Sequence, residues 1–166
     1  MTMLIISAIL AVLYTGAAIW RNRCLPDSIS AMVYDLPKSG KYLWTVWLWT
    51  VTELICPPLF ETIPEDYGVL AHCFVTCMMF TGAMPLVKGE KNKAHNALGI
   101  TAGIFSQICV AIIDAQWLGL WALFVFIMGS VFVQPEGELG KAVKGKGVFV
   151  AEAVCWLSVM GSLIFK

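Results

Sequence analysis

Six stretches of this 166-residue chain are apolar for long enough to cross a bilayer as helices, and nothing else in the sequence constrains the fold as strongly. They cover about residues 2–20, 42–60, 67–87, 96–114, 116–133 and 147–165. A hydrocarbon core of about 30 Å takes about 20 apolar helical residues. Inside lipid a segment must satisfy its own backbone polar groups, which leaves the helix as the expected form. Composition agrees. The chain is 59% hydrophobic and 13% charged, where a soluble domain carries about 25% charged residues. The expectation is one all-α integral membrane domain over residues 1–166, a bundle of six transmembrane helices.

Lys and Arg set its expected orientation. Arg21, Arg23, Lys38 and Lys41 fall in the first loop, Lys88, Lys91 and Lys93 in the third, and Lys141, Lys144 and Lys146 in the fifth. The second loop carries Glu61, Glu65 and Asp66 and no basic residue. By the positive-inside rule the basic loops are cytoplasmic and both termini face outside, in the plasma (inner) membrane. The first stretch has no basic residue before it and two arginines after it, so it reads as a retained span rather than a signal peptide. The fourth and fifth are separated only by Asp114-Ala115-Gln116, which predicts a tight antiparallel hairpin. Trp20, Tyr42 and Trp44 are expected near the inner interface, and Tyr67 and Trp117 near the outer one.

Several chemistries find no support. No basic surface suits a nucleic acid. Six cysteines form no CxxC, and two histidines form no HxxxH, so neither a metal nor another cofactor is expected. No GxSxG, P-loop or dinucleotide fingerprint occurs. The chain therefore carries no positive sign of an enzyme.

Ionisable and strongly polar residues inside a span are costly and mark candidate sites. Glu53 lies eight residues before Glu61, about 12 Å below the end of the second helix. Pro57 and Pro58 follow it and are expected to bend or end that helix. His72 lies at a similar depth in the third stretch and could pair with Glu53. On the fourth, Asn96, Gly99, Gly103, Gln107 and Asp114 form a stripe at three- and four-residue spacing. Gly99 and Gly103 make a GxxxG, a pattern that permits close helix approach. Glu53, His72, Gln107 and Asp114 are thus the candidate ligand-binding residues, converging in the outer half. Each is equally open to a structural reading as an interhelical hydrogen-bonding group. A second group belongs to the cytoplasmic face: Ser28, Ser30, His95 and Glu152, with helix capping as the plainer explanation.

The segments "PDSISAMVYDLP", "GAMPL" and "KAHNALGITAG" resemble prokaryotic small polytopic membrane proteins of the Frag/DRAM-like superfamily, through Ser28, Ile29, Ser30, Pro85 and His95. The resemblance implies a six-helix bundle with a link to lipid handling and brings no assigned chemistry. The alkaline-ceramidase superfamily is similar in its membrane Ser, Asp and His residues, but its terminal HxxxH is missing here. Three functions stay open: binding or transport of a lipid or small ligand through an intramembrane polar cluster; a structural protein that oligomerises or holds a membrane-protein partner; and a lipid-modifying enzyme at the cytoplasmic face. The expected partners are membrane lipid, and a second copy or another membrane protein.

Overall fold

The computed structural model describes residues 1–87 and 93–166, apart from the side chains of Asn22, Ala31 and Asp35. Every regular element among them is helical: α1 (Thr2–Asn22), α2 (Lys38–Thr62), α3 (Gly68–Val87), α4 (Lys93–Asp114), α5 (Leu120–Val133), α6 (Glu138–Val143) and α7 (Gly147–Ile164). Short 3₁₀ turns occupy Ser30–Asp35, Glu65–Tyr67 and Ala115–Gly119. Five stretches are long and apolar enough to cross a membrane: Thr2–Arg21, Lys38–Thr62, Glu65–Val87, Lys93–Val133 and Gly147–Ile164. The sequence predicts six. The difference lies in Lys93–Val133, where a 3₁₀ turn joins α4 to α5 with no coil between them, giving 41 helical residues in a row.

That stretch is nevertheless folded back on itself. Asp114 is extended, with φ −161° and ψ 95°, which ends α4. Trp121 Nε1 donates to Gln107 Oε1 at 3.0 Å. Continuous helix would hold two residues fourteen apart at about 21 Å. The chain therefore reverses at Asp114, as the sequence predicts for this hairpin.

Backbone-directed side chains fix the neighbouring packings. Ser7 Oγ donates to the Val51 carbonyl at 3.1 Å and Trp47 Nε1 to the Leu10 carbonyl at 3.0 Å, so α1 runs antiparallel to α2. Thr45 Oγ1 donates to the Gly82 carbonyl at 2.8 Å and Trp49 Nε1 to the Met79 carbonyl at 2.9 Å, joining α2 to α3. Pro57 and Pro58 do not end α2, which continues to Thr62. The carbonyls of Glu53 and Leu54 lose their i+4 donors, but Ile55 and Leu59 are buried and anchor the last turns in the core.

The main core is lopsided. Leu4, Ile55, Leu59, Ile63, Ala71, Val110, Met160 and Leu163 gather at one end of the bundle. The chain ends lie there too: Lys166 Nζ donates to the Thr62 carbonyl at 3.1 Å, and Met1–Met3 border Pro57, Pro58 and Glu61. Arg21, Arg23, Lys38, Lys41, Lys93, Lys141, Lys144 and Lys146 occupy the opposite end. Lys88 and Lys91 lie outside the described residues. At the basic end the buried apolar cluster among the described residues is smaller, built on Val33, Trp44 and Leu48. The space the main core leaves there forms the site.

Candidate functional site

Small residues on facing helices leave a cavity of about 1020 Å³ between α1, α2, α3, α4 and α7. Ala11 and Gly16 of α1, Gly99 and Gly103 of α4, and Gly147 and Ala151 of α7 lie on its wall. Gly99 is informative. A Cβ placed there would meet nothing within 4 Å, and one at Gly103 would meet only Cys155 Sγ, at 3.7 Å. The expected close helix approach at this GxxxG is therefore not formed. The two glycines thin a cavity wall instead. Tight approaches occur elsewhere: a Cβ at Gly82 would lie 2.9 Å from the Trp49 indole, and one at Gly161 would overlap that of Trp117.

The cavity is apolar along most of its length. Trp44, Trp47, Trp121 and Trp156 line it with Leu48, Val51, Ile55 and Phe74. On α7 the wall runs from Gly147 to Val159, about 18 Å of helix. Val12, Ile100, Ile104 and Leu157 belong both to the wall and to the exposed outer surface, so the cavity opens sideways.

One end is polar. Lys146 Nζ meets Asp27 Oδ1 at 2.5 Å, and Phe149 N donates to the Asp27 carbonyl at 3.1 Å. These contacts hold the segment after α1 against the start of α7. Ser28 and Ser30 then fall onto Glu152, one turn into α7. Ser28 Oγ donates to both carboxylate oxygens at 2.9 and 3.0 Å, and Ser30 Oγ donates to Oε1 at 2.6 Å. The backbone N–H groups of Ile29 and Ser30 donate to Oε2 at 2.5 and 3.4 Å. Glu152 thus caps the 3₁₀ turn that starts at Ser30, from 122 residues away in sequence. Charge-assisted bonds of this kind are among the stronger ones available.

His95, on the first turn of α4, is buried at the same end. Its ring lies edge-on to Tyr34, with centroids 5.2 Å apart, and 6.3 Å from that of Trp44. Burial pushes the Tyr34 phenol above its ordinary pKa. Among the described residues Tyr34 Oη, Trp44 Nε1 and Trp156 Nε1 are buried without a hydrogen-bond partner. No group of three or more His, Cys, Asp or Glu side chains suited to a metal ion occurs among the described residues.

The four outer-half candidates do not assemble. Glu53 is exposed on the outside of α2, in a stripe with Val46, Trp49 and Thr50. His72 is exposed on α3, its ring 4.5 Å from that of Phe60. Phe60 is seven residues beyond Glu53, about 10 Å along α2, so the expected Glu53–His72 pairing is not formed. Asp114 caps the turn after α4, accepting from Gln116 N at 3.2 Å and from Gln116 Nε2 at 2.6 Å. Gln107 alone of the four lines the cavity. It ties three helices together: Oε1 accepts from Trp121 Nε1 at 3.0 Å and Ser158 Oγ at 2.9 Å, and Nε2 donates to the Cys155 carbonyl at 3.3 Å. The group expected at the cytoplasmic face is the one brought together. Ser28, Ser30 and Glu152 are in contact, and His95 lines the same cavity.

Sequence reading misses the tryptophan wall and Asp27. Trp44, expected at the membrane interface, is buried in the protein. The available signal was the run of Trp44, Leu48, Val51, Thr52 and Ile55 at helical spacing, facing the Gly99/Gly103 stripe. No family model, no curated protein and no solved structure matches the chain.

Proposed function

We propose that this chain is a multi-pass membrane protein that binds an amphiphile, a lipid or lipid-like molecule, in the cavity between α1, α4 and α7. The observation that carries this reading is the shape and chemistry of that cavity: about 1020 Å³, apolar along its length, polar at one end and open to the side. Ligand sites typically span about 300–1,000 Å³, so this one takes a molecule at the large end of that range. Its run of about 18 Å along α7 slightly exceeds the ~15 Å depth of one leaflet. The basic residues gather at the polar end, which the positive-inside rule assigns to the cytoplasm. The chain crosses six times in this reading, with α5 as the sixth span and both termini outside. The head group then sits at the inner interface, beside Glu152, Ser28 and Ser30, and the tail runs toward Gln107.

A ligand arriving from the bilayer gains little from burying its chain, because lipid is as apolar as the cavity. Binding strength and choice of ligand must therefore come from chain shape against the tryptophan wall and from hydrogen bonds at the polar end. The Frag/DRAM-like resemblance, with its link to lipid handling, points the same way. A lipid-modifying enzyme is the second reading, drawn from the Ser28–Glu152 contact with His95 in the same cavity. Glu152 is held by two hydroxyls and two backbone N–H groups, an arrangement that fixes a loop rather than freeing a base, and this favours binding. The purely structural reading needs a closed core, which the cavity disfavours.

Native mass spectrometry of the detergent-purified protein tests the proposal. One amphiphile per chain should survive gentle activation, equally in wild type and in Glu53→Gln. A protein free of any amphiphile, which also takes up none from mixed micelles, would sink it.

A further inference from the structure

Glu53 takes no part in the cavity, and its position is costly. It lies on the exposed side of α2, about 12 Å short of Glu61 at the acidic end of that helix. Hydrocarbon at that depth offers no hydrogen bond to an ionisable side chain. Between their ends the exposed faces of α1, α4, α5 and α7 carry residues such as Ile9, Leu13, Ile104, Phe126 and Leu157, and no ionisable side chain among the described residues. Glu53 makes no side-chain hydrogen bond or ion pair among the described residues. The polar groups beside it are already satisfied: Thr50 Oγ1 donates to the Val46 carbonyl at 2.8 Å, and Trp49 Nε1 to the Met79 carbonyl at 2.9 Å. Pro57, one turn on, also removes the helical donor of the Glu53 carbonyl. Residue 53 is short of partners in both its side chain and its main chain.

We propose that this face of α2 packs against α2 of a second copy of the chain, with the two Glu53 carboxyl groups hydrogen-bonded to one another. This rests on the reading of α2 as a membrane span and is independent of the cavity. Leu43, Val46, Thr50, Glu53 and Pro57 are all exposed and recur at alternating intervals of three and four residues, the spacing of a seam between two helices. Two copies inserted the same way are related by a two-fold axis along the membrane normal, so each seam residue meets its own counterpart at the same depth. Hydrogen-bond complementarity then decides the occupant. A carboxyl with its proton both donates and accepts, so two of them facing each other across the axis satisfy one another, which lipid cannot do. Thr50, one turn away, is small enough to let the helices close on that pair. His72, packed on Phe60 about 10 Å further along α2, lies outside the contact.

The test uses the full-length protein, first in membranes and then in detergent. Copper phenanthroline oxidises neighbouring thiols to a disulfide. Val46→Cys should cross-link two copies, while Ile9→Cys and Val125→Cys, on the outer faces of α1 and α5, should add nothing to the background of the native cysteines. In detergent, native mass spectrometry should find two chains for wild type and for Glu53→Gln, whose amide also donates and accepts. Glu53→Leu should dissociate on dilution at about tenfold higher concentration. A single chain by both methods, or cross-linking at Ile9→Cys or Val125→Cys in place of Val46→Cys, would overturn the pairing. A Glu53→Leu dimer as tight as wild type would overturn the part given to the carboxyl. If Glu53→Leu fails to fold, Glu53→Gln and the cross-linking series decide. Release of the chain from membranes by alkaline carbonate would instead remove the membrane reading on which the pairing rests.

Discussion

Replacing Gly99 with leucine separates a cavity wall from a helix-packing motif. The GxxxG of α4 implies a close helix contact that any larger side chain would force apart. The structure puts open space where the Gly99 Cβ would grow, with no heavy atom within 4 Å. Leucine is also the better helix former, by roughly 0.8 kcal/mol in a helix interior. So Gly99→Leu should leave the melting temperature in detergent unchanged or raise it slightly. The added side chain fills on the order of 100 Å³, about a tenth of the 1020 Å³ cavity, one helical turn beyond its polar end. A chain threading past it loses contact with the facing tryptophans, and affinity should fall about tenfold, which is 1.4 kcal/mol. Gly99→Trp should abolish binding. Quenching of the wall tryptophans by a long-chain alcohol brominated in its tail gives the affinity, and a thermal melt of the same preparations gives the stability. Wild-type affinity in a stable Gly99→Leu protein would refute the placement of the ligand. A clear fall in melting temperature would show that Gly99 packs against a neighbour.

The contrasting glycine is Gly161, where an added Cβ would overlap the Trp117 ring. Gly161→Ala should destabilise by about 1–3 kcal/mol with little effect on the cavity, and an unchanged melt would contradict that packing. Gln107→Leu leaves Trp121 Nε1 without its acceptor and unties α4 from α5 and α7. It should cost about 1–2 kcal/mol by thermal or denaturant unfolding, and a neutral result would deny the network its structural role. Glu53 is exposed on the outer face of α2. If that face meets lipid, Glu53→Leu should stabilise membrane insertion by up to about 3 kcal/mol. A lower melting temperature, or a change of subunit number on native mass spectrometry, would mean that another chain covers Glu53.

The helices were legible because each expected span is a long apolar stretch with few charges, a pattern that reads as a helix long enough to span a membrane. All six expected spans coincide with helices to within about four residues at each end, and Asp114 marks the reversal where the sequence places it. Which way each helix faces was harder to read. In a soluble bundle the outer face is polar, so periodicity orients a helix. In an apolar bundle both faces look alike. The remaining guide is that charged residues turn inward, and that rule pointed Glu53 and His72 to an interior they do not occupy. Gln107 obeyed it. The Glu152 cluster involves residues 28, 30 and 152, whose meeting depends on how the Asp27 segment folds back onto α7. Nothing local in the sequence encodes that contact. Gly99 and Gly103 were visible as a motif, but whether small residues admit a helix or a ligand depends on the neighbour they face.

Photolabelling addresses the central claim most directly. A long-chain alcohol carrying a diazirine near the end of its chain is irradiated with the purified protein, and the labelled peptides are mapped by mass spectrometry. The account expects label on the cavity segments, Ile100–Gln107 of α4 and Ala151–Leu157 of α7, displaced by excess unlabelled alcohol. Label confined to the outer stripes of α2 and α3, around Val46–Glu53 and Val69–Phe80, and insensitive to competition, would contradict it.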